Sequence, residues 1–129
     1  MSDEQPTTNV GTDILFENDV VRVWRMRLAP GESSELHRHL HDHVFVYANP
    51  SVMEAEVSGE DERIRQPSDE GFTFYREVGR DGLLPHRLTN VGTTESTHYI
   101  VELLGPSRSD EPQPPVHNGR LIPGHETNW

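Results

Sequence analysis

Neither cysteine nor lysine occurs in the 129 residues. Without cysteine there is no disulfide, no thiolate metal site and no cysteine nucleophile, so any bound metal must be held by nitrogen or oxygen ligands. Without lysine, all 11 basic residues are arginine; set against 22 acidic residues they leave a formal net charge of −11. Such a surface repels phosphate backbones and anionic lipid, which argues against nucleic acid and membranes as partners. The composition fits adaptation to high salt and a GC-rich genome alike. Long apolar runs are missing too: nothing approaches the roughly 20 residues of a membrane span, and Met1 to Pro6 lacks the basic region and apolar core of a secretion signal. A cytoplasmic protein is expected. No stripe with the 3.6-residue helical period extends beyond two turns.

What is present is a single domain's worth of chain, since cores of roughly 100 to 150 residues are the commonest size. Apolar residues are only 32% of it. They are patterned, however, with Trp24, Phe45, Phe72, Phe74 and Tyr99 inside alternating segments. From Val20 to Leu28, Trp24, Met26 and Leu28 fall on one face and Arg25 and Arg27 on the other, the period-2 signature of a half-buried strand. Ala29-Pro30-Gly31 ends it as a turn. Further strands are expected at His43 to Tyr47, Val52 to Val57, Arg63 to Arg65, Phe72 to Arg76, His86 to Asn90 and Thr97 to Leu104. Turns at Asn49-Pro50, Ser58-Gly59, Pro67-Ser68 and Val91-Gly92 separate them. Many short strands with turns between them read as an all-β sandwich or barrel. The expected organisation is an N-terminal arm and leading strand over residues 1–19, loosely attached as far as Thr12, and a barrel over 20–104. A proline-rich tail over 105–129 follows, which either wanders or packs Leu121, Ile122 and Trp129 onto the barrel or a neighbour.

The most informative segment runs from Gly31 to His43, where His37, His39, His41 and His43 recur at every second position. Alternate residues on a strand share a face, so His37 and His39 stand about 6 to 7 Å apart on one side. Two imidazoles so placed can reach one ion at about 2.0 to 2.2 Å. All four cannot do so from a straight strand, because His37 and His43 would lie about 20 Å apart. If His43 shares the ion, the chain must turn between His39 and His43.

This pattern resembles the cupin family, whose first motif runs G-x5-H-x-H-x3-E-x6-G and whose second is roughly G-x5-P-x-G-x2-H-x3-N. Gly31, His37 and His39 match the first motif in spacing. His43 stands where the family usually has glutamate, and Pro50 stands at the closing glycine. His86-Arg-Leu-Thr-Asn90 matches the end of the second motif, whereas Gly71 lies too far upstream and no P-x-G precedes His86. Gly79, Gly82 and Pro85 suggest a longer turn there. The resemblance spans about Val20 to Leu104, and is strongest to small single-domain bacterial or archaeal cupins of the conserved-barrel type.

The resemblance implies a double-stranded β-helix, or jelly roll, closing around one divalent metal ion held by His37, His39, His86 and His43, with His41 left in a turn. Histidine in place of glutamate raises the centre's net charge from +1 to +2, making it a stronger Lewis acid and a weaker electron donor. Four ligands on a metal that prefers six leave two positions for water, oxygen or a bidentate substrate. The expected ion is Fe(II), Ni, Zn, Mn or Cu, imidazole itself suiting Fe, Ni, Cu and Zn. Phe45 and Tyr47 share a face with His43 and are placed as substrate contacts, although plain core is the commoner fate of such residues. Tyr75 and Arg76 point opposite ways, so one of them faces the cavity. His98 is expected to be a satisfied or exposed strand histidine, and His117 and His125 lie in the tail. Two functions fit: a small-molecule metalloenzyme, dioxygenase-like or a Lewis-acid lyase or isomerase, and a non-catalytic cupin that binds a metal or small ligand. A homodimer is expected, because small barrels with apolar edge strands commonly pair.

Overall fold

The alternating segments form ten strands, and no helix is found among residues 4–122, the part of the chain described by the computed structural model. In chain order they are β1 (Asp13–Glu17), β2 (Val21–Leu28), β3 (Asp42–Tyr47), β4 (Ser51–Val57), β5 (Ile64–Ser68), β6 (Thr73–Arg76), β7 (His86–Asn90), β8 (Ser96–Leu103), β9 (Val116–His117) and β10 (Arg120–Leu121). They make a seven-stranded sheet, β1-β2-β8-β3-β6-β9-β10, and a three-stranded sheet, β5-β4-β7, with every pairing antiparallel. The two sheets form a jelly roll. No helix of the described residues is long and apolar enough to cross a membrane.

The inner faces follow the sequence alternation closely. Trp24, Met26 and Leu28 of β2, Phe45 and Tyr47 of β3, Met53 of β4 and Ile100 of β8 pack into one core cluster, with Phe72, Phe74 and Leu88 against it. Arg25 turns outward to an ion pair with Asp13. The Trp24 indole N–H would be an unsatisfied buried donor, but the Glu102 carboxylate accepts from it at 2.6 Å.

Two segments differ from the sequence expectation, and a third takes one of the two courses left open for it. The described part of the arm is not loose: Thr7 exchanges backbone hydrogen bonds with Leu36 and Arg38 at 3.0 and 2.9 Å, and Val10, an isolated apolar residue in a polar stretch, is 1% exposed. Pro67-Ser68, expected as a turn, is the end of β5, paired to Val52 and Ser51. Proline is tolerated there because β5 is an edge strand, so no ladder partner is deprived of an N–H. The tail docks as far as it is described: Asn118 (φ 51°) and Gly119 (φ 75°) form a tight turn between β9 and β10, and β9 pairs with β6. Consecutive positive φ values favour Asn-Gly at such a turn. Ile122 is buried and Leu121 is exposed, while Trp129 lies outside the described residues.

Asp42, 2% exposed at the start of β3, ties the tail to the barrel. Its Oδ1 accepts from the Val78 N–H at 2.9 Å and the Ser107 hydroxyl at 2.6 Å, and its Oδ2 from the Arg108 N–H at 2.8 Å. Burial acts to raise this carboxyl, but the hydrogen bonds from Ser107, Arg108 and Val78 outweigh it and hold the group below its ordinary range. The stability it contributes is therefore present above the unfolded carboxyl value of about 3.9 and is lost as the pH falls through the lower folded value. Asp42→Asn should cost about 2 to 4 kcal/mol by urea unfolding at pH 7 and flatten the acid limb of the stability profile. A change below about 0.5 kcal/mol would show that the latch is dispensable.

Candidate metal centre

The site begins with backbone pairing. The chain from Gly31 to His37 lies along the free edge of β7: Gly31 and Ser34 donate to the Asn90 and Leu88 carbonyls at 2.7 and 2.8 Å. At the far end His37 and His86 exchange both N–H···O bonds, at 2.9 and 2.8 Å. Directly paired residues on antiparallel strands project to the same face. The two rings accordingly meet edge-on with centroids 4.5 Å apart. His39, two residues beyond His37, lies 5.2 Å from it and 5.1 Å from His86. Among the described residues, His37, His39 and His86 each offer a nitrogen within 4.8 Å of the others, and all three are buried.

A bend at His41 precedes β3, which starts at Asp42. His43 then returns to stack on His39, with centroids 4.2 Å apart and planes 28° apart. It stands one ring away from the convergent three. His41, in the bend, is half-buried, and its carbonyl accepts from His43.

Burial leaves the His37, His39 and His43 imidazoles neutral. It pushes His37 down, His39 well down and His43 to about 4. The His37 Nδ1–H donates to the Glu35 carbonyl at 2.8 Å, and the His43 Nδ1–H to the His41 carbonyl at 2.8 Å. A carbonyl can only accept, so both rings carry their proton on Nδ1 and present the Nε2 lone pair, the arrangement that fixes metal-binding tautomers. Neither nitrogen of the fully buried His39 has a hydrogen-bond partner. Buried ring nitrogens rarely go unsatisfied, and a cation at the convergence point would satisfy the inward one. Neutral, nitrogen-rich and converging, the residues fit a divalent transition metal.

A cavity of about 60 Å³ adjoins the cluster, bordered by His39, His43 and His86. This is room for a few waters or a small molecule. Phe45 and Tyr47 both line it, next to Phe74, Leu88 and Ile122. The choice between Tyr75 and Arg76 is settled by register. Arg76 pairs with His43, is 3% exposed and lines the cavity, whereas the Tyr75 hydroxyl donates to Glu77.

His98 departs from the sequence expectation. It is fully buried with both ring nitrogens unpartnered, and lies between the rings of Phe45 and Tyr47 at 5.3 and 4.6 Å. Burial pushes it down to about 3. The available signal was parity: His98 shares its β8 face with Ile100, which is 0% exposed. His117 packs on Phe72 away from the cluster, and His125 lies outside the described residues.

No protein-family model matches the sequence, and neither does any curated protein. Solved structures do match in fold. A cupin-domain protein from Bordetella pertussis Tohama I superposes with a TM-score of 0.62 at 21% identity, covering 78% of this chain and 98% of its own. A cupin 2 conserved-barrel protein from Salinispora arenicola (TM-score 0.52, 19% identity) covers 80% of this chain and 82% of its own. A cupin superfamily protein from Desulfitobacterium hafniense (TM-score 0.52, 14% identity) covers 79% and 84%. The chain has the cupin fold.

The cluster depends on a close approach at Gly82. Its φ is +77°, and a Cβ there would lie 2.7 Å from the His39 carbonyl oxygen and 2.8 Å from Leu40 Cδ2. Gly82→Ala should therefore destabilise the fold by about 1 to 3 kcal/mol. Unfolding curves superimposable on wild type would show that this loop does not constrain His39.

Proposed function

We propose that the chain holds one divalent transition metal ion, from among Fe(II), Ni, Zn, Mn and Cu, through His37, His39 and His86, with His43 as fourth ligand. In this reading it is a small-molecule metalloprotein of dioxygenase-like or Lewis-acid lyase or isomerase type. The observation that carries it is the convergence of three buried imidazoles beside a largely apolar cavity. When bound, the ion would supply a Lewis acid with open coordination positions. The protein's own residues do the rest. His37 and His43 are held in the ligating tautomer by the Glu35 and His41 carbonyls. His43 needs a small ring movement, from stacking on His39 to facing the same point. Phe45 and Tyr47 exclude water and contact the substrate. A non-catalytic ligand-binding cupin is the second reading, favoured by one observation: among the described residues lining the cavity there is no carboxylate to serve as general base.

A homodimer is part of the same proposal. The edge strand β1 exposes Ile14, Leu15 and Phe16 beside Val20, an apolar edge suited to pairing with a second copy. Sedimentation at micromolar concentration should give twice the 14.7 kDa chain mass, and Phe16→Glu should shift it toward monomer. Monomeric wild-type protein would refute the pairing.

Elemental analysis of untagged protein and its variants tests the centre. His37→Ala, His39→Ala and His86→Ala should each lose most of the metal, His43→Ala should weaken it by about 10- to 100-fold, and His41→Ala should keep it. Retention by His37→Ala and His86→Ala together would contradict the assignment. Oxygen uptake by iron-loaded protein against 1,3-dicarbonyls and hydroxy acids, with substrate consumption followed by NMR to catch a lyase or isomerase that uses no oxygen, separates the readings, since the non-catalytic one expects no turnover.

A further inference from the structure

The docked C-terminal hairpin brings an apolar side chain to the edge of the cavity. Its ladder pairs Arg120 with His117 and Leu121 with Val116, and runs one residue further, where the Ile122 N–H donates to the Pro115 carbonyl at 3.1 Å. Neighbours along an extended chain face opposite ways. Leu121 accordingly stands outward at 61% exposed, and Ile122 turns inward at 4%. The hairpin is fastened to the barrel by the pairing of Val116 with Tyr75 and by the bond from the His117 Nδ1–H to the Thr73 carbonyl. The His117 ring also packs on Phe72, with centroids 4.4 Å apart.

The other wall is β5, the edge strand of the small sheet. Its Ile64 and Gln66 pair directly with the buried Ala55 and Met53, so all four side chains share the inner face. These four line the cavity beside His39, His43 and His86, and Ile122 lines it with them. On the outside, a surface groove of about 660 Å³ is bordered by Phe72, His117 and Leu121, and again by Gln66 and Ile122. Gln66 and Ile122 thus border both spaces. A side chain that is buried and yet borders two spaces lies between them. Ile122 is the apolar, fully enclosed member of the pair, whereas Gln66 is half-buried and its amide donates to the Pro67 carbonyl at 2.8 Å.

From this arrangement we infer that Ile122 is the specificity-determining residue of the cavity: it separates the space beside the histidines from the outer groove and so limits the length of the ligand. This rests on the reading of the cavity as the ligand site beside the metal centre. The inner space, about 60 Å³, takes a compact molecule of a few non-hydrogen atoms. Phe45, Phe74 and Leu88 around it suit an apolar body. A longer straight chain meets Ile122. Shortening that side chain joins the cavity to the groove, and the far end of a longer ligand then lies over Phe72 and Leu121.

NMR titration of full-length protein, metal-free and zinc-loaded, with 1-propanol and with 1-hexanol tests the inference, read at the methyl groups of Ala55, Ile64 and Leu88 in the cavity wall. In wild type the two alcohols should bind within about 4-fold of one another, because an added methylene contributes about 4-fold only where it is buried. Ile122→Ala should raise the preference for 1-hexanol by at least about 4-fold over wild type, and Ile122→Leu, of equal volume, should restore the limit. A wild-type preference for 1-hexanol beyond about 4-fold, no binding of 1-propanol at these methyl groups, a smaller rise in Ile122→Ala, or a limit lost equally in Ile122→Leu would each overturn it. The comparison of the two alcohols on wild type needs no variant, so a misfolded Ile122→Ala leaves the inference falsifiable. The metal reading fails separately, if elemental analysis finds no ion in protein that still shows the length limit in its metal-free form.

Discussion

The reciprocal backbone hydrogen bonds between His37 and His86 set the geometry on which the rest of the site depends. They join a chain segment without a named strand to the edge of β7, and in doing so place two imidazoles from distant parts of the sequence on one face. His39 follows by strand alternation, and His43 by the bend that precedes β3. The same pairing carries the described part of the N-terminal arm, since Thr7 bridges to His37 on its other side. A slip of one residue in this register would turn both His37 and His39 away from His86. The specificity of the centre is thus set by main-chain pairing before any side chain contributes.

Around this pairing the interior is unusually polar. Across the large sheet, paired residues run Arg76, His43, Glu102 and Arg22, an alternating row from β6 to β2. Glu102 is held by Trp24 and Arg22, so its charge is compensated on the side away from the cavity. Buried charges cost more than they return unless well paired, and Glu102 meets that condition through two donors. His98, neutral and enclosed by Phe45 and Tyr47, extends this polarity deeper into the barrel.

Much of this was legible in the residues. Alternation in Val20 to Leu28 named the inner face of β2 correctly, and the two-residue spacing of the histidines required a turn before His43. Other features depended on information that local pattern does not carry. Tyr75 and Arg76 are adjacent, and only the pairing of Arg76 with His43 decides between them, although the parity shared with Phe72 and Phe74 was a usable hint. Pro67 was misread because an edge position is a property of the assembled sheet. The Asn118-Gly119 turn was a clear hairpin signal obscured by the proline-rich composition around it. Asp42 gave no sign of its role, since its partners Val78, Ser107 and Arg108 lie 36 to 66 residues away in sequence.

The central claim is that buried imidazoles converge on one ion. X-ray absorption spectroscopy of the protein loaded with one equivalent of Zn or Fe(II) tests it most directly. The account expects a nitrogen and oxygen first shell at about 2.0 to 2.2 Å, with outer-shell scattering from at least three imidazole rings. A first shell without imidazole scattering, or an ion removed by a single desalting step, would contradict it.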